Sequence, residues 1–226
     1  MLPAATAQAA SPWGGGLALT SAYVFRGVTQ SGHDGALQAD LHWRDASGWF
    51  AGAWASSIAP ASGSFGRSEL DLYGGFGWLL DDRWQASLRY ARYTYPASPL
   101  GQRYDSDELA VSVELDDVLV LSLAASPDTS RYGSQGWELR RHTLAWEASW
   151  RQPLGTGPLA VTASAGYYDT RSLFGSAYRA WSAGLALKLG PVDLTLQRFG
   201  TDGAAHRLFG DDGAQGRWVV GSAWRF

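Results

Sequence analysis

A chain of 226 residues with 28 Gly, 12 Trp, 10 Tyr, no Cys and a formal net charge of −3 is the size of one domain at roughly 150 residues per domain. Its charged share, 17%, falls below the usual value of about 25%; the aromatic content excludes disorder, and so many Gly speak against a helical bundle, at about 1 kcal/mol each in a helix interior. No run of about 20 apolar residues offers a membrane-crossing helix, no basic run or stripe points to nucleic acid, and without Cys there is no disulfide, thiol nucleophile or thiolate metal site.

In chain order, residues 1–10 come first. Ala7-Gln8-Ala9 has the A-x-A form found before a signal-peptidase cut, although no basic n-region or apolar stretch precedes it. The expectation is an export-signal remnant over 1–10, with a flexible Ala-rich tail as the alternative, and one β-domain over 11–226.

From there period-two alternation dominates, as in strands with two unlike faces. Leu37, Ala39, Leu41 and Trp43 alternate with Gln38, Asp40, His42 and Arg44. Leu70, Leu72, Phe76 and Trp78 alternate with Glu69, Asp71, Tyr73 and Gly77. Further on, Leu144, Trp146, Ala148 and Trp150 alternate with Thr143, Glu147, Ser149 and Arg151, and Val192, Leu194 and Leu196 with Asp193, Thr195 and Gln197. About twelve strands are predicted, over 17–28, 35–44, 48–58, 67–79, 83–95, 105–115, 118–126, 137–151, 158–169, 178–189, 192–201 and 216–226.

The connections alternate in length. Tight turns of Asp, Gly and Pro fall at 45–48, 80–83, 116–117 and 190–191, with 152–157 as a longer member of the set. Longer loops fall at 29–34, 59–66, 96–104, 127–136, 170–177 and 202–215. An even number of strands with this alternation gathers the short turns and both termini at one end, the plan of an antiparallel up-and-down transmembrane β-barrel.

Trp43, Trp49, Trp78, Trp84, Trp150, Trp224 and Phe226 all fall at the short-turn end, where an aromatic girdle would meet a membrane–water interface. Tyr23, Phe25, Tyr90, Tyr167 and Trp181 are candidates for the opposite girdle. A soluble lipocalin-type barrel alternates in the same way with its apolar face inward. Twelve strands and so many Trp at one rim argue against it.

Residues 21–30, SAYVFRGVTQ, resemble the opening signature of the TorF family of porin-like bacterial proteins, also filed as the Gcw_chp conserved hypothetical family. GWFAGAWAS at 48–56, ELDLYGGF at 69–76, YTYP at 93–96, SPD at 126–128 and YRAWSAGLAL at 178–187 resemble it in the same order. The resemblance covers about 21–226. It implies a bacterial outer-membrane barrel and no particular substrate, since fold does not give function; the short-turn end, with both termini, is then expected to be periplasmic. Alternation of Trp218, Val220, Ser222 and Trp224 up to the terminal Phe226 also resembles the signal read by the barrel-assembly machinery.

With the apolar register toward lipid and lipopolysaccharide, the opposite register would line the lumen with Arg26, Asp40, Glu69, Asp71, Arg89, Glu108, Glu114, Glu147, Arg151, Asp193, Arg217 and Arg225. These charges either structure a pore that filters small solutes or pair across a plugged barrel with a structural or surface-binding role. Twelve strands lie between a filled and an open barrel. A monomer is expected, without cofactor. No enzyme is expected: His33, His42, His142 and His206 lack a partnered Ser, and no G-x-S-x-G segment occurs. The pairs Asp81-Asp82, Asp116-Asp117 and Asp211-Asp212 read as turn chemistry rather than metal ligands.

Overall fold

The structure, a computed structural model, describes residues 11–59, 67–96, 104–132 and 138–226. Its elements are β1 (Trp13–Thr20), β2 (Val24–Phe25), β3 (Val28–Thr29), β4 (Ala36–Arg44), β5 (Trp49–Ser57), β6 (Ser68–Leu79), β7 (Trp84–Thr94), β8 (Ser106–Leu115), β9 (Leu119–Tyr132), β10 (Glu138–Pro153), β11 (Leu159–Asp169), α1 (Arg171–Phe174), β12 (Ala177–Leu189), β13 (Val192–Thr201), α2 (Gly203–Ala214) and β14 (Arg217–Arg225). β1 and β4–β14 form a closed antiparallel barrel of twelve strands, each beside its sequence neighbour, with β14 pairing back onto β1; β2 and β3 pair only with each other. Strand closure leaves no free sheet edge among the described strands, so ladder hydrogen bonds are made within the wall, with one register shift between Arg141 and Thr143 on β10.

The alternation places apolar side chains outside. Leu17, Leu41, Leu72, Leu109, Leu121 and Leu196 are all exposed, whereas Glu69, Asp71 and Glu108, on the other register, are buried. Leu88, Val111 and Leu123 lie opposite one another on β7, β8 and β9, a rung of the outer belt. A water-soluble body would not leave such a continuous apolar surface bare. No helix among the described residues is long and apolar enough to cross a membrane, and the crossing is by strands.

The short turns are built from local hydrogen bonds. Asp45 Oδ1 accepts from Ser47 N at 2.9 Å, Ser47 Oγ at 2.7 Å and Trp49 N at 3.1 Å. Asp81 Oδ1 accepts from Arg83 N at 2.8 Å and Trp84 N at 2.7 Å. Asp116 and Asp117 both have positive φ, 47° and 57°, as a two-residue hairpin turn requires.

Four sequence expectations need correction. The first barrel strand is 13–20 rather than 17–28. It starts early because Gly14-Gly15-Gly16 forms strand, not lead-in: a Cβ on Gly15 would lie 2.6 Å from Asp40 O and 2.9 Å from Phe226 Cζ. Trp13, exposed at the short-turn end opposite Trp43, therefore joins the rim aromatics. Second, β9 runs on to Tyr132 through the expected loop, because its outer part still pairs with β10 at Leu139↔Arg131. Third, 202–215 holds the helix α2, kinked at Gly210 and capped by Asp202 Oδ1, which accepts from Ala204 N and Ala205 N at 3.1 Å each, and 170–177 holds the short helix α1. Fourth, Tyr23 and Phe25 are not girdle residues; they fold inside. The expected export-signal remnant at 1–10, and most of the expected loops at 59–66 and 96–104, lie outside the described residues.

Candidate functional site: the lumen and its inward hairpin

After β1 the chain turns into the barrel. Phe25 and Val28 pair across Arg26 and Gly27, whose φ values are 51° and 81°. Two left-handed residues make a type I′ turn, easy for Gly and worth roughly 1–2 kcal/mol of strain for Arg26. A Cβ on Gly27 would collide with the Ala180 methyl and lie 2.8 Å from Thr201 Cγ2, so the tip abuts the wall at β12 and β13. The stem is fixed by Ser31, which is 1% exposed: its Oγ accepts from Tyr23 N at 2.9 Å and donates to Asp34 O at 2.7 Å. Arg217 Nη1 donates to Gly32 O at 2.7 Å.

Arg26 ends in a polar network. Its Nη2 lies 2.8 Å from Glu108 Oε2 and 3.7 Å from Glu147 Oε2. Tyr93 Oη donates to Glu108 Oε1 at 3.1 Å, and Tyr168 Oη donates to Glu147 Oε1 at 2.9 Å. Arg89 Nη2 donates to Tyr93 Oη at 3.2 Å and stands 4.0 Å from Glu108 Oε1. The guanidinium of Arg26 also lies over the Phe25 and Tyr168 rings, 4.8 and 5.7 Å from their centroids. One hairpin tip thus links β7, β8, β10 and β11 across the lumen.

Beside the network the long-loop half of the lumen is packed with apolar groups. Ala124, Ala145, Tyr168, Tyr178 and Ala180 from the wall, Ala205 and Ala214 from α2, and Val28 from the hairpin form one cluster. Phe209 of α2 meets Tyr178 edge-on at 5.2 Å. The rest of the lumen holds cavities. One of about 900 Å³ at the short-turn end is bounded by Gly14, His42, Arg44, Phe50 and Tyr73. Another of about 440 Å³, against the hairpin, shares Tyr73 with it. A third of about 380 Å³ along β13, β14 and β1 shares Tyr23 and Trp54 with the second.

The structure brings together Arg26, Arg89, Glu108 and Glu147, with Asp40, Glu69 and Asp71 facing the same space from β4 and β6. It separates the others. Asp193 and Arg225 pair at 2.7 Å near the short-turn end. Glu114 and Arg151 lie toward that same end, and Arg217 sits at the opposite, long-loop mouth, where its Nη2 donates to Asp212 O at 2.8 Å. The sequence placed Tyr73 on the face of Glu69 and Asp71 without a role, and left out Trp54, Tyr93 and Tyr168, the other aromatic groups between these charges; their signal was the register they share with the acids. Trp49, Trp78, Trp150, Trp224 and Phe226 stand exposed at the short-turn end, and Trp43 and Trp84 half-buried beside them. Tyr90, Trp146, Trp181 and Trp218 are exposed higher on the outer wall. His142 is exposed, and its carbonyl accepts from Ser172 Oγ.

The profile of the family described as "Bacterial protein of unknown function (Gcw_chp)" matches residues 4–223. The chain belongs to this Gcw_chp family. The match does not carry the TorF name, and no curated protein sequence matches the chain. Among solved structures, the NanC porin is similar at 12% identity over 92% of this chain and 98% of that one, with a TM-score of 0.63. The KdgM porin is similar at 10% identity over 94% and 99%, with a TM-score of 0.56. The COG4313 outer membrane channel from Pseudomonas putida F1 is similar at 10% over 100% and 98%, with a TM-score of 0.56. At such identities the likeness is one of fold: the Gcw_chp chain adopts a porin-like barrel.

Proposed function

We propose that this protein resides in the bacterial outer membrane as a monomer and passes small polar solutes by diffusion, with the β2–β3 hairpin setting the narrowest point. The observation that carries the reading is the sequence of abutting cavities along a polar inner register, enclosed by an apolar outer wall. Five carboxylates, Asp40, Glu69, Asp71, Glu108 and Glu147, face the middle of the lumen against the guanidiniums of Arg26 and Arg89. That balance favours cations and neutral solutes. It differs in sign from what an acidic chain needs, and the KdgM porin has been solved with oligogalacturonate. In this reading the termini are periplasmic, Phe226 ends the strand presented to the assembly machinery, and outward Arg92 and Arg198 stand level with lipopolysaccharide phosphates.

Purified protein in a planar bilayer tests this. Discrete current steps are expected, with a reversal potential in a KCl gradient that favours potassium. Silence at all voltages would remove the passage reading. It would favour a closed barrel acting through its outer loops, a reading supported by the apolar packing of α2 against the hairpin.

A further inference from the structure

We propose that the lumen carries a binding site for an organic cation, a methylated or substituted ammonium group, on the rung formed by Asp40, Trp54, Asp71 and Tyr93. These four residues lie opposite one another on β4, β5, β6 and β7, Asp40 to Trp54, Trp54 to Asp71 and Asp71 to Tyr93. Carboxylate, indole, carboxylate and phenol therefore alternate along one level of the inner wall. The hairpin covers them: the Tyr23 ring lies 5.3 Å from Trp54, and the Phe25 ring 6.1 Å from Tyr93. Together they bound the cavity of about 440 Å³, room for a cation larger than a bare metal ion.

The two carboxylates differ in state. Asp40 is satisfied within the protein: Tyr73 Oη donates to its Oδ2 at 3.0 Å, and His42 Nδ1 lies 3.0 Å from its Oδ1. Asp71 is 9% exposed, yet its Oδ1 has no hydrogen-bond partner among the described residues. Neighbouring Glu69, 4% exposed, also keeps an oxygen, Oε2, with no hydrogen-bond partner among the described residues. A buried carboxylate left without a donor is costly, and a cation in the cavity that Asp71 lines would offset its charge without needing an N–H group. Arg89 borders the same cavity, but its hydrogen bond goes to Tyr93 and its ion pair to Glu108. It also lies over the Tyr73 ring at 5.7 Å, which shows how these aromatic faces receive a cation. Aromatic rings flanking a carboxylate select alkylated ammonium groups over strongly hydrated small ions, because ring faces replace water poorly for sodium and well for methyl-bearing cations.

The site deepens the proposed channel reading, which supplies the route of entry, but binding is measured without passage. Saturation-transfer NMR of tetramethylammonium chloride, titrated into the full-length protein in detergent micelles, should show saturable transfer to the methyl protons. Sodium chloride at equal concentration should displace little of it. Asp71→Asn, which keeps size while removing the charge, should weaken binding at least tenfold, and Trp54→Phe should weaken it less. Asp82→Asn, in an exposed turn, should leave it unchanged. Heat-modifiable gel migration verifies that each variant is folded. Absent saturable transfer, equal binding by Asp71→Asn, or full displacement by sodium would overturn the site. Asp71-dependent binding with a silent bilayer would remove the passage reading alone; current steps without tetramethylammonium binding would remove this site alone.

Discussion

Arg26 and Glu108 meet at 2.8 Å across the lumen, with side chains only 16% and 5% exposed. Arg26 comes from the hairpin tip and Glu108 from the wall. Removing one member of a buried pair strands the other and costs about 3–5 kcal/mol in a dry interior. The cost here is smaller, since Glu147 beside them is 35% exposed and water reaches it. Arg26→Ala is expected to free the hairpin and raise single-channel conductance severalfold. Adding Glu108→Ala should recover thermal stability while leaving conductance high. Equal conductance in Arg26→Ala and the parent protein would show that the hairpin does not set the narrowest point.

Gly27 tests the same element through its backbone. Gly27→Val puts a β-branched side chain at φ 81°, a strained conformation for it, and drives it into Ala180 and Thr201. The barrel should stay folded while the hairpin leaves its seat. Trypsin is then expected to cut after Arg26 in the variant and not in the parent; protection of Arg26 in both would refute the displacement.

The hairpin also marks where the sequence was legible and where it was not. Barrel strands declare themselves because each crosses between two different media, so period two survives along every one, as at Leu37 to Arg44. The segment from Tyr23 to Thr29 has the same β-forming residues and the same alternation, and on pattern alone it extends the first strand. Arg26-Gly27 lacks the Asn-Gly or Asp-Gly signature that announces a two-residue turn, because Arg26 accepts its left-handed backbone in exchange for a partner on β8. That partner is distant in sequence. The helix α2 was hidden for a related reason: Gly203, Gly210 and Gly213 suggest a loop, while its helical form rests on the Asp202 cap and on Ala205 and Ala214 packing against the wall. The charged lumen residues follow from register, but which of them meet depends on barrel closure, which no local pattern contains.

Selectivity should respond to charge by height. Glu147→Ala removes a carboxylate at the hairpin network and should shift the KCl reversal potential toward chloride. Arg151→Ala, lower on the same strand β10, should shift it toward potassium and by less, because Arg151 is exposed near the short-turn end, away from the hairpin network. Unchanged reversal potentials in both variants would place the conducting path away from β10.

The two faces of β8 give a paired test of the apolar belt. Val111 points outward at the middle of the belt and Ser112 inward. Val111→Arg is expected to cost about 2–4 kcal/mol of folding free energy in lipid vesicles, the scale for Arg at a bilayer midplane. Ser112→Arg should cost much less. Denaturant titration in vesicles reads both, and a reversed order would mean that the wall faces the other way.

Turn chemistry carries its own pH signature. The hydrogen bond from Ser47 Oγ, with the backbone amides of Trp49 and Ser47, holds the Asp45 carboxyl below its ordinary 3.8. A carboxyl lowered on folding stabilises the native state above its unfolded value, and that contribution disappears as pH falls through the folded value. Asp45→Asn should therefore lower the unfolding midpoint at pH 7, and the gap to the parent should close below about pH 3.8. A gap of constant size down to pH 2 would assign the effect to turn shape rather than charge.

The β1–β14 joint runs from Gly16↔Arg225 to Thr20↔Gly221, a shorter ladder than β1 makes with β4. Immediately above it Ser21 N donates to Val220 O at 2.8 Å, and Val220 N donates to Ser21 Oγ at 3.0 Å. Ser21 is also where the inward segment departs. The upper end of the clasp that shuts the cylinder and the tether of its internal obstruction therefore meet in Ser21. Fluctuation of one is mechanically shared with the other, so displacing the obstruction also loosens the wall at its thinnest fastening.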